Sequence, residues 1–268
     1  MFGKSVRRAA TFGLALGLAA GTVLPAGAED GGSMPTSHPF LALNQLGLSQ
    51  NWAGWASYAG LAGLAQNGAV SYVKGEWVVP AVACGSADAD SSVWVGIDGL
   101  YNQAVEQVGT EQSCTGGVAS YAAWWETYPA PKTGTTLAVR PGDTIRGEVT
   151  YAGSGKFTLA VTNLTTGASF KTTQSASGPR QSAEWVVEAP YNNGILPLAN
   201  FGTVSFDNAV ATINGQTKPV ASSGLLSVLN TQGATMASLQ NLSLVKATAT
   251  NPSLNAGGDN FKVTWNHS

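Results

Sequence analysis

From about residue 70 onward the chain is a series of short runs in which apolar and polar side chains alternate, each closed by Gly, Asn, Asp or Pro. "VSYVKGEWVVP" at 70–80, "SVWVGID" at 92–98 and "SAEWVVEAP" at 182–190 are examples. A period of two over six to eleven residues predicts β-strands rather than helices. The pattern places strands at 70–80, 92–98, 103–112, 118–129, 136–151, 156–163, 168–174, 182–190, 202–212, 224–230, 239–249 and 260–266. Turn sequences fall between them, among them "RPGD" at 140–143, "NLTTG" at 163–167, "YNNG" at 191–194 and "NAGGD" at 255–259. "GLAGLAQNG" at 60–68 carries three glycines and reads as a loop or hairpin. With no internal repeat and no linker inside 49–268, the prediction is one all-β domain, an antiparallel sandwich or barrel.

Strand parity then sorts side chains onto faces. Val93, Val95 and Ile97 share a face suited to a core, and Trp94, Gly96 and Asp98 fall opposite. Gln103, Val105, Gln107 and Glu111 lie together, opposite Ala104, Glu106 and Val108. Trp124, Glu126 and Tyr128 oppose Ala123, Trp125 and Thr127. Glu184, Val186 and Glu188 oppose Trp185, Val187 and Ala189. Four strands thus present polar and aromatic groups on one side, the composition of a groove. Each residue has a plainer use as well: Trp94, Trp124 and Tyr128 as sheet-surface aromatics, Asp98 before Gly99 as a turn residue, and Gln107, Glu184 and Glu188 as structural or solvated polar groups.

Composition changes the picture at the ends. "MFGKSVRRAATFGLALGLAAGTVLPAGAED" sets Lys4, Arg7 and Arg8 before an apolar stretch and Ala-Gly-Ala, the layout of a secretory signal peptide ending at Ala28. The apolar run is short for a membrane anchor. Residues 29–48, rich in Gly, Pro and Ser, read as a flexible leader or short pro-segment, and 49–268 as the domain. Export makes a Cys84–Cys114 disulfide the expected fate of the two cysteines. A net charge of −2, from 13 Lys and Arg against 15 Asp and Glu, offers no basic stripe for nucleic acid.

The same inventory excludes several chemistries. The two histidines, His38 and His267, lie in the leader and at the second-last position, so a Ser-His-Asp or Cys-His arrangement in the domain is excluded. No His-Glu-x-x-His spacing and no phosphate-cradling glycine loop occurs. An enzyme built on this chain works with carboxylates, amides, hydroxyls or aromatics, and no metal or other cofactor is expected.

"NWAG" at 51–54, "WVGIDG" at 94–99, "AVEQVG" at 104–109, "AWWETYP" at 123–129, "RPGDTI" at 140–145, "NLTTG" at 163–167, "AEWVVEAP" at 183–190 and "FGTVSF" at 201–206 occur in order. Together they resemble the glutamic peptidases, the eqolisin family, over about 49–215 and more loosely beyond. The resemblance implies a β-sandwich of two large antiparallel sheets, concanavalin- or jelly-roll-like, with substrate across the concave face of one. It implies a catalytic Gln and Glu dyad, which maps onto Gln107 and Glu188, with Trp94, Asp98 and Glu126 lining or supporting the site. Trp124, Tyr128 and Glu184 are expected on the groove wall. The sequence departs from the family's pattern at Ala122, Thr127 and Glu111. The short leader suits a bacterial-type secreted member.

On this reading the protein is a secreted, acid-active endopeptidase, monomeric, acting on protein or peptide and free of membrane once the signal is removed. The aromatic and carboxylate groove leaves a secreted carbohydrate-binding or glycoside-hydrolysing sandwich as the alternative. Glycosidase carboxylates stand about 5 to 10 Å apart. Glu184 and Glu188 on one strand stand roughly 13 Å apart, so Glu126 with Glu188 is the pair that reading needs. A non-catalytic adhesion or structural sandwich is the third possibility.

Overall fold

The computed structural model describes residues 42–43, 48–61, 64–222, 225–226, 235–238, 241–250 and 257–268. The signal peptide and most of the leader assigned from the sequence lie outside the described residues. Twelve strands carry the architecture: β1 Trp52–Tyr58, β2 Val70–Val78, β3 Ala89–Ile97, β4 Val105–Thr115, β5 Val118–Tyr128, β6 Thr144–Gly153, β7 Lys156–Asn163, β8 Ser169–Ser175, β9 Ser182–Glu188, β10 Thr203–Ile213, β11 Asn241–Ala249 and β12 Phe261–Trp265. One 3-10 turn, Val220–Ser222, is the sole helical element among the described residues.

The strands form two large sheets. One runs in the order Thr133–Gly134, β5, β4, β3, β9, β1, Leu225–Leu226. The other runs Ala42–Leu43, Leu48–Ser49, Thr235–Ser238, β11, β12, β10, β2, β6, β7, β8, with Gln216–Pro219 paired to β10. Among the described residues the strands pair antiparallel except for a short parallel contact between Thr235–Ser238 and Leu48–Ser49, and an isolated parallel bridge joins Asp90 to Leu198. Between the sheets lies a single apolar core, to which Val93, Val95, Ile97, Trp185 and Val187 of the first sheet and Val73, Trp77, Ile145, Val149 and Phe206 of the second contribute. The parity assignments for β3 and β9 hold here: alternate residues of each strand enter this layer.

Three buried tryptophans hydrogen-bond from the first sheet to the opposite layer or the reverse, which satisfies polar groups that burial would otherwise strand. Trp77 Nε1 donates to Thr110 Oγ1 at 3.0 Å, Trp185 Nε1 to the Lys74 carbonyl at 2.7 Å, and Trp55 Nε1 to the Thr250 carbonyl at 2.8 Å.

The predicted run over 224–230 lies outside the described residues apart from Leu225–Leu226, and two of the twelve main strands differ from the sequence pattern. β1 did not register because all seven of its residues are buried, so no polar face alternates with an apolar one. The predicted run over 136–151 starts only at Thr144. Leu137 and Val139 are buried anchors of a connection instead, since Pro141 lacks an N–H and the Arg140 amide donates to Asp143 Oδ2 at 2.9 Å.

Cys84 and Cys114 form the disulfide, closing a separation of 30 residues. Chain-entropy reasoning gives such a closure roughly 3 to 4 kcal/mol. The Cys84→Ser, Cys114→Ser double variant is therefore expected to unfold at markedly lower denaturant concentration, measured by tryptophan fluorescence.

Candidate active site

The face of the first sheet turned away from the core carries the residues singled out from the sequence except Asp98, whose positive φ breaks the strand alternation and whose carboxyl meets Glu106 instead of joining Trp94. Because pairing registers are continuous across β1, β9, β3, β4 and β5, side chains there fall into rows. One row runs Ala56, Glu184, Gly96, Gln107, Glu126. The next runs Gly54, Val186, Trp94, Gly109, Trp124, and the third Trp52, Glu188, Ser92, Glu111, Ala122. Gln107 and Glu188 therefore share a face and stand in rows on either side of Trp94.

Trp52, Trp94, Val105, Trp124 and Val186 form a small apolar cluster on this face, with Tyr128 packed against it. The rings of Trp52 and Trp94 meet edge to face at 4.9 Å. Gly109 makes the close packing possible. A Cβ there would lie 2.4 Å from the Val93 carbonyl, 2.6 Å from Trp94 Cβ and 2.9 Å from Trp124 Cζ2. Gly109→Ala is expected to cost about 1 to 3 kcal/mol and to displace Trp94, read as a lower melting temperature and a changed near-ultraviolet circular dichroism spectrum.

Around Glu188 the donors converge. Trp94 Nε1 donates to Oε2 at 2.8 Å and Asn51 Nδ2 to Oε1 at 3.3 Å. Asn51 is itself held by Ser49, whose hydroxyl donates to Asn51 Oδ1 at 2.9 Å. Gln107 Nε2 donates to Glu126 Oε2 at 2.8 Å, while Gln107 Oε1 has no partner among the described residues. An amide nitrogen carries two hydrogens, so one remains available after Glu126 has taken the other. Gln107, Glu126, Glu184 and Glu188 are all fully buried. Among the described residues no three side chains of His, Cys, Asp or Glu converge to hold a metal ion.

Glu184 lies in the row of Gln107, separated from it by Gly96. Its burial pushes the carboxyl well above the usual range, and the charges of Asp98 and Glu106 push it further, against the Ser182 hydroxyl. Asp98 adopts φ 74° and fastens the segment before β9. It accepts from the Arg180 amide at 2.6 Å, the Gln181 amide at 2.7 Å and Asn102 Nδ2 at 2.9 Å. Burial nonetheless raises it, with those hydrogen bonds opposing.

Glu106 completes a buried carboxyl cluster that sequence reading did not assign to the site. A Cβ on Gly178 would lie 2.6 Å from Asp98 Oδ2 and 2.5 Å from Glu106 Oε2. The two carboxyls thus flank one glycine, and neither Glu106 oxygen has a side-chain partner among the described residues. Burial first, and then the charge of Asp98, push Glu106 up to about 8, with the Gly178 amide opposing. Parity places Glu106 with Ala104 and Val108, and an acid on that apolar face is the signal the sequence carries. Asn51 and Lys132 were likewise missed. Asn51 stands inside the "NWAG" motif, and Lys132 is one of only 13 Lys and Arg in the chain.

A family model for the peptidase A4 family matches residues 50–262. The chain belongs to the peptidase A4 family. Two relatives agree with that placement. Aspergillopepsin-2 from Aspergillus niger is 33% identical over 196 residues, covering 63% of this chain and 66% of that protein. Scytalidopepsin B from Scytalidium lignicola is 32% identical over 148 residues, covering 50% of this chain and 56% of that protein. The matched regions thus span somewhat less than two thirds of each relative's length.

Solved structures of glutamic peptidases share the fold. A crystal structure of scytalido-glutamic peptidase with a transition state analog inhibitor superposes with a TM-score of 0.64 at 23% identity, over 81% of this chain and 98% of that one. Aspergilloglutamic peptidase from Aspergillus niger gives 0.55 at 29% identity, over 66% of this chain and 99% of that one.

Proposed function

We propose that this peptidase A4 family member is a secreted, acid-active endopeptidase in which Glu188 activates water and Gln107 stabilises the oxyanion. One observation carries the reading: Gln107 and Glu188 share one sheet face on either side of Trp94, which donates directly to Glu188. The Cys84–Cys114 disulfide and the signal-like N-terminus support export to an oxidising compartment.

The chemistry follows from the groups. The Glu188 carboxylate takes a proton from a water whose oxygen attacks the peptide carbonyl carbon. The carbonyl oxygen becomes an oxyanion, and a Gln107 N–H donates to the charge as it develops. Protonated Glu188 then delivers its proton to the amide nitrogen as the carbon–nitrogen bond breaks, releasing amine and acid. Trp94 and Asn51 hold the carboxylate in orientation throughout, and Glu126 fixes the Gln107 amide. Gln107 keeps its donor at every pH, so Glu188 is the member of the pair that titrates. A carboxyl group as the base sets the expectation of acid activity.

The test is digestion of a denatured protein between about pH 2 and 5 by wild type and by Glu188→Gln. Cleavage by wild type alone is expected. Absence of proteolysis combined with binding or hydrolysis of polysaccharide would overturn the reading in favour of a carbohydrate-active sandwich.

A further inference from the structure

At the Glu188 end of the site face sits a buried ion pair that the proposed mechanism does not use. Lys132, from the segment between β5 and Thr133–Gly134, places its ammonium against Glu111 Oε2 on β4. The same ammonium lies 4.7 Å from the centre of the Trp124 ring. Lys132 is 6% exposed and Glu111 3%, so neither is screened as a surface charge is. The Ser92 hydroxyl donates to Glu111 Oε2 at 3.2 Å and the Ser113 hydroxyl to Oε1 at 3.4 Å.

Register puts this pair next to the proposed base. Ser92 is the pairing partner of Glu188 on one side and of Glu111 on the other. Two interstrand spacings separate Glu111 from Glu188 on the same face, about 10 Å between Cα atoms. An unpaired Glu111 anion would therefore oppose ionisation of Glu188, and an unpaired Lys132 cation would favour it.

A neighbouring carboxyl already responds to both members. Asp90, two residues before Ser92 on β3, is raised by burial first and relieved by the Ser113 hydroxyl. Glu111 raises it further, and Lys132 lowers it. The other charged or titratable groups on or beside this face are Asp88 at the near end, Glu126 and Tyr128 on β5, Tyr58 on β1, Glu184 on β9 itself, and the Asp98 and Glu106 cluster beyond Gln107.

The geometry points to Lys132 as a positioning residue for peptide hydrolysis: by neutralising Glu111, it lets Glu188 remain a carboxylate at the acid end of the working range. This rests on the assignment of Glu188 as the base.

The test is the pH dependence of kcat/KM for Lys132→Met, Glu111→Gln, the double variant and Lys132→Arg, each checked for folding by thermal melting. The rising acid limb is expected to move up in Lys132→Met and down in Glu111→Gln. The size expected at low salt is up to about one pH unit, from charges roughly 10 Å apart at an effective dielectric of about 20. The double variant and Lys132→Arg are expected to return it close to wild type. Limbs that coincide in all folded variants, or that move the same way in both single variants, overturn the inference while leaving the dyad standing. Should one single variant fail to fold, the other single and the double decide: an unshifted single, or a double displaced as far as the single, counts against it. Loss of the Glu188 assignment is seen separately, as full activity in Glu188→Gln.

Discussion

Glu188→Gln is expected to lower kcat for peptide hydrolysis by about 10³-fold or more at every pH, with the melting temperature at pH 4 little changed. The substitution keeps shape and removes the ability to take and return a proton, a role that contributes about 10² to 10⁴ in enzymes of this type. A glutamine oxygen still accepts from Trp94 Nε1, which donates to Oε2 at 2.8 Å in the parent. Its amide nitrogen then faces Asn51 Nδ2, a donor against a donor, because Asn51 Oδ1 is occupied by Ser49. That mismatch costs about 1 kcal/mol, too little to unfold the domain. Gln107→Ala is expected to lose about 10² to 10³ in kcat, the usual effect of deleting one oxyanion donor. Full activity in either variant, measured by initial rates on a peptide substrate, would sink the dyad.

Between pH 4 and pH 7 the wild-type melting temperature is expected to fall by at least about 10 °C, and Glu106→Gln is expected to recover about 10 °C of that loss. Glu106 is raised from 4.5 to about 8 by burial and by Asp98. A carboxyl whose folded value is raised stays protonated in the native state while the unfolded chain releases its proton. Stability is thus fully present below about pH 4.5 and declines as pH climbs toward 8, by about 1.4 kcal/mol per unit. Over two and a half units this amounts to roughly 3 to 4 kcal/mol, or about 10 °C for a domain of this size. Glu184 is raised in the same direction and adds to the slope, as do Asp90 and Asp98. Glutamine at 106 is neutral at every pH and removes that contribution. Equal melting temperatures at the two pH values in wild type, or a gap unchanged in Glu106→Gln, would contradict the cluster's role. The expected consequence for function is a domain best folded under the acid conditions in which Glu188 would work.

The carboxyl cluster and the ion pair show where sequence reading stops. Strand parity placed Gln107, Glu126, Glu184 and Glu188 on their faces because side-chain direction alternates strictly along a strand. It placed Glu106 on the apolar side as well, yet gave no hint that Asp98 and Gly178 meet it there. Those contacts join β4, the end of β3 and the segment before β9, and depend on how three strands are ordered. Lys132 reaches Glu111 only because the chain after β5 turns back to pair Gly134 with Trp124. β1, buried on both sides, offered no period to read, although it supplies Trp52 to the site face and its lead-in supplies Asn51.

What the sequence by itself determined is the all-β class, most strand positions, the inward and outward faces, the disulfide partners and the family motifs. All of these are local periodicities, pair counts or ordered short motifs. Strand order, pairing register and the convergence of charges were decided by the tertiary structure alone. Those features arise from the packing of two sheets around one core and from burial, which sets the protonation of Glu106 and Glu184 and which no linear pattern encodes.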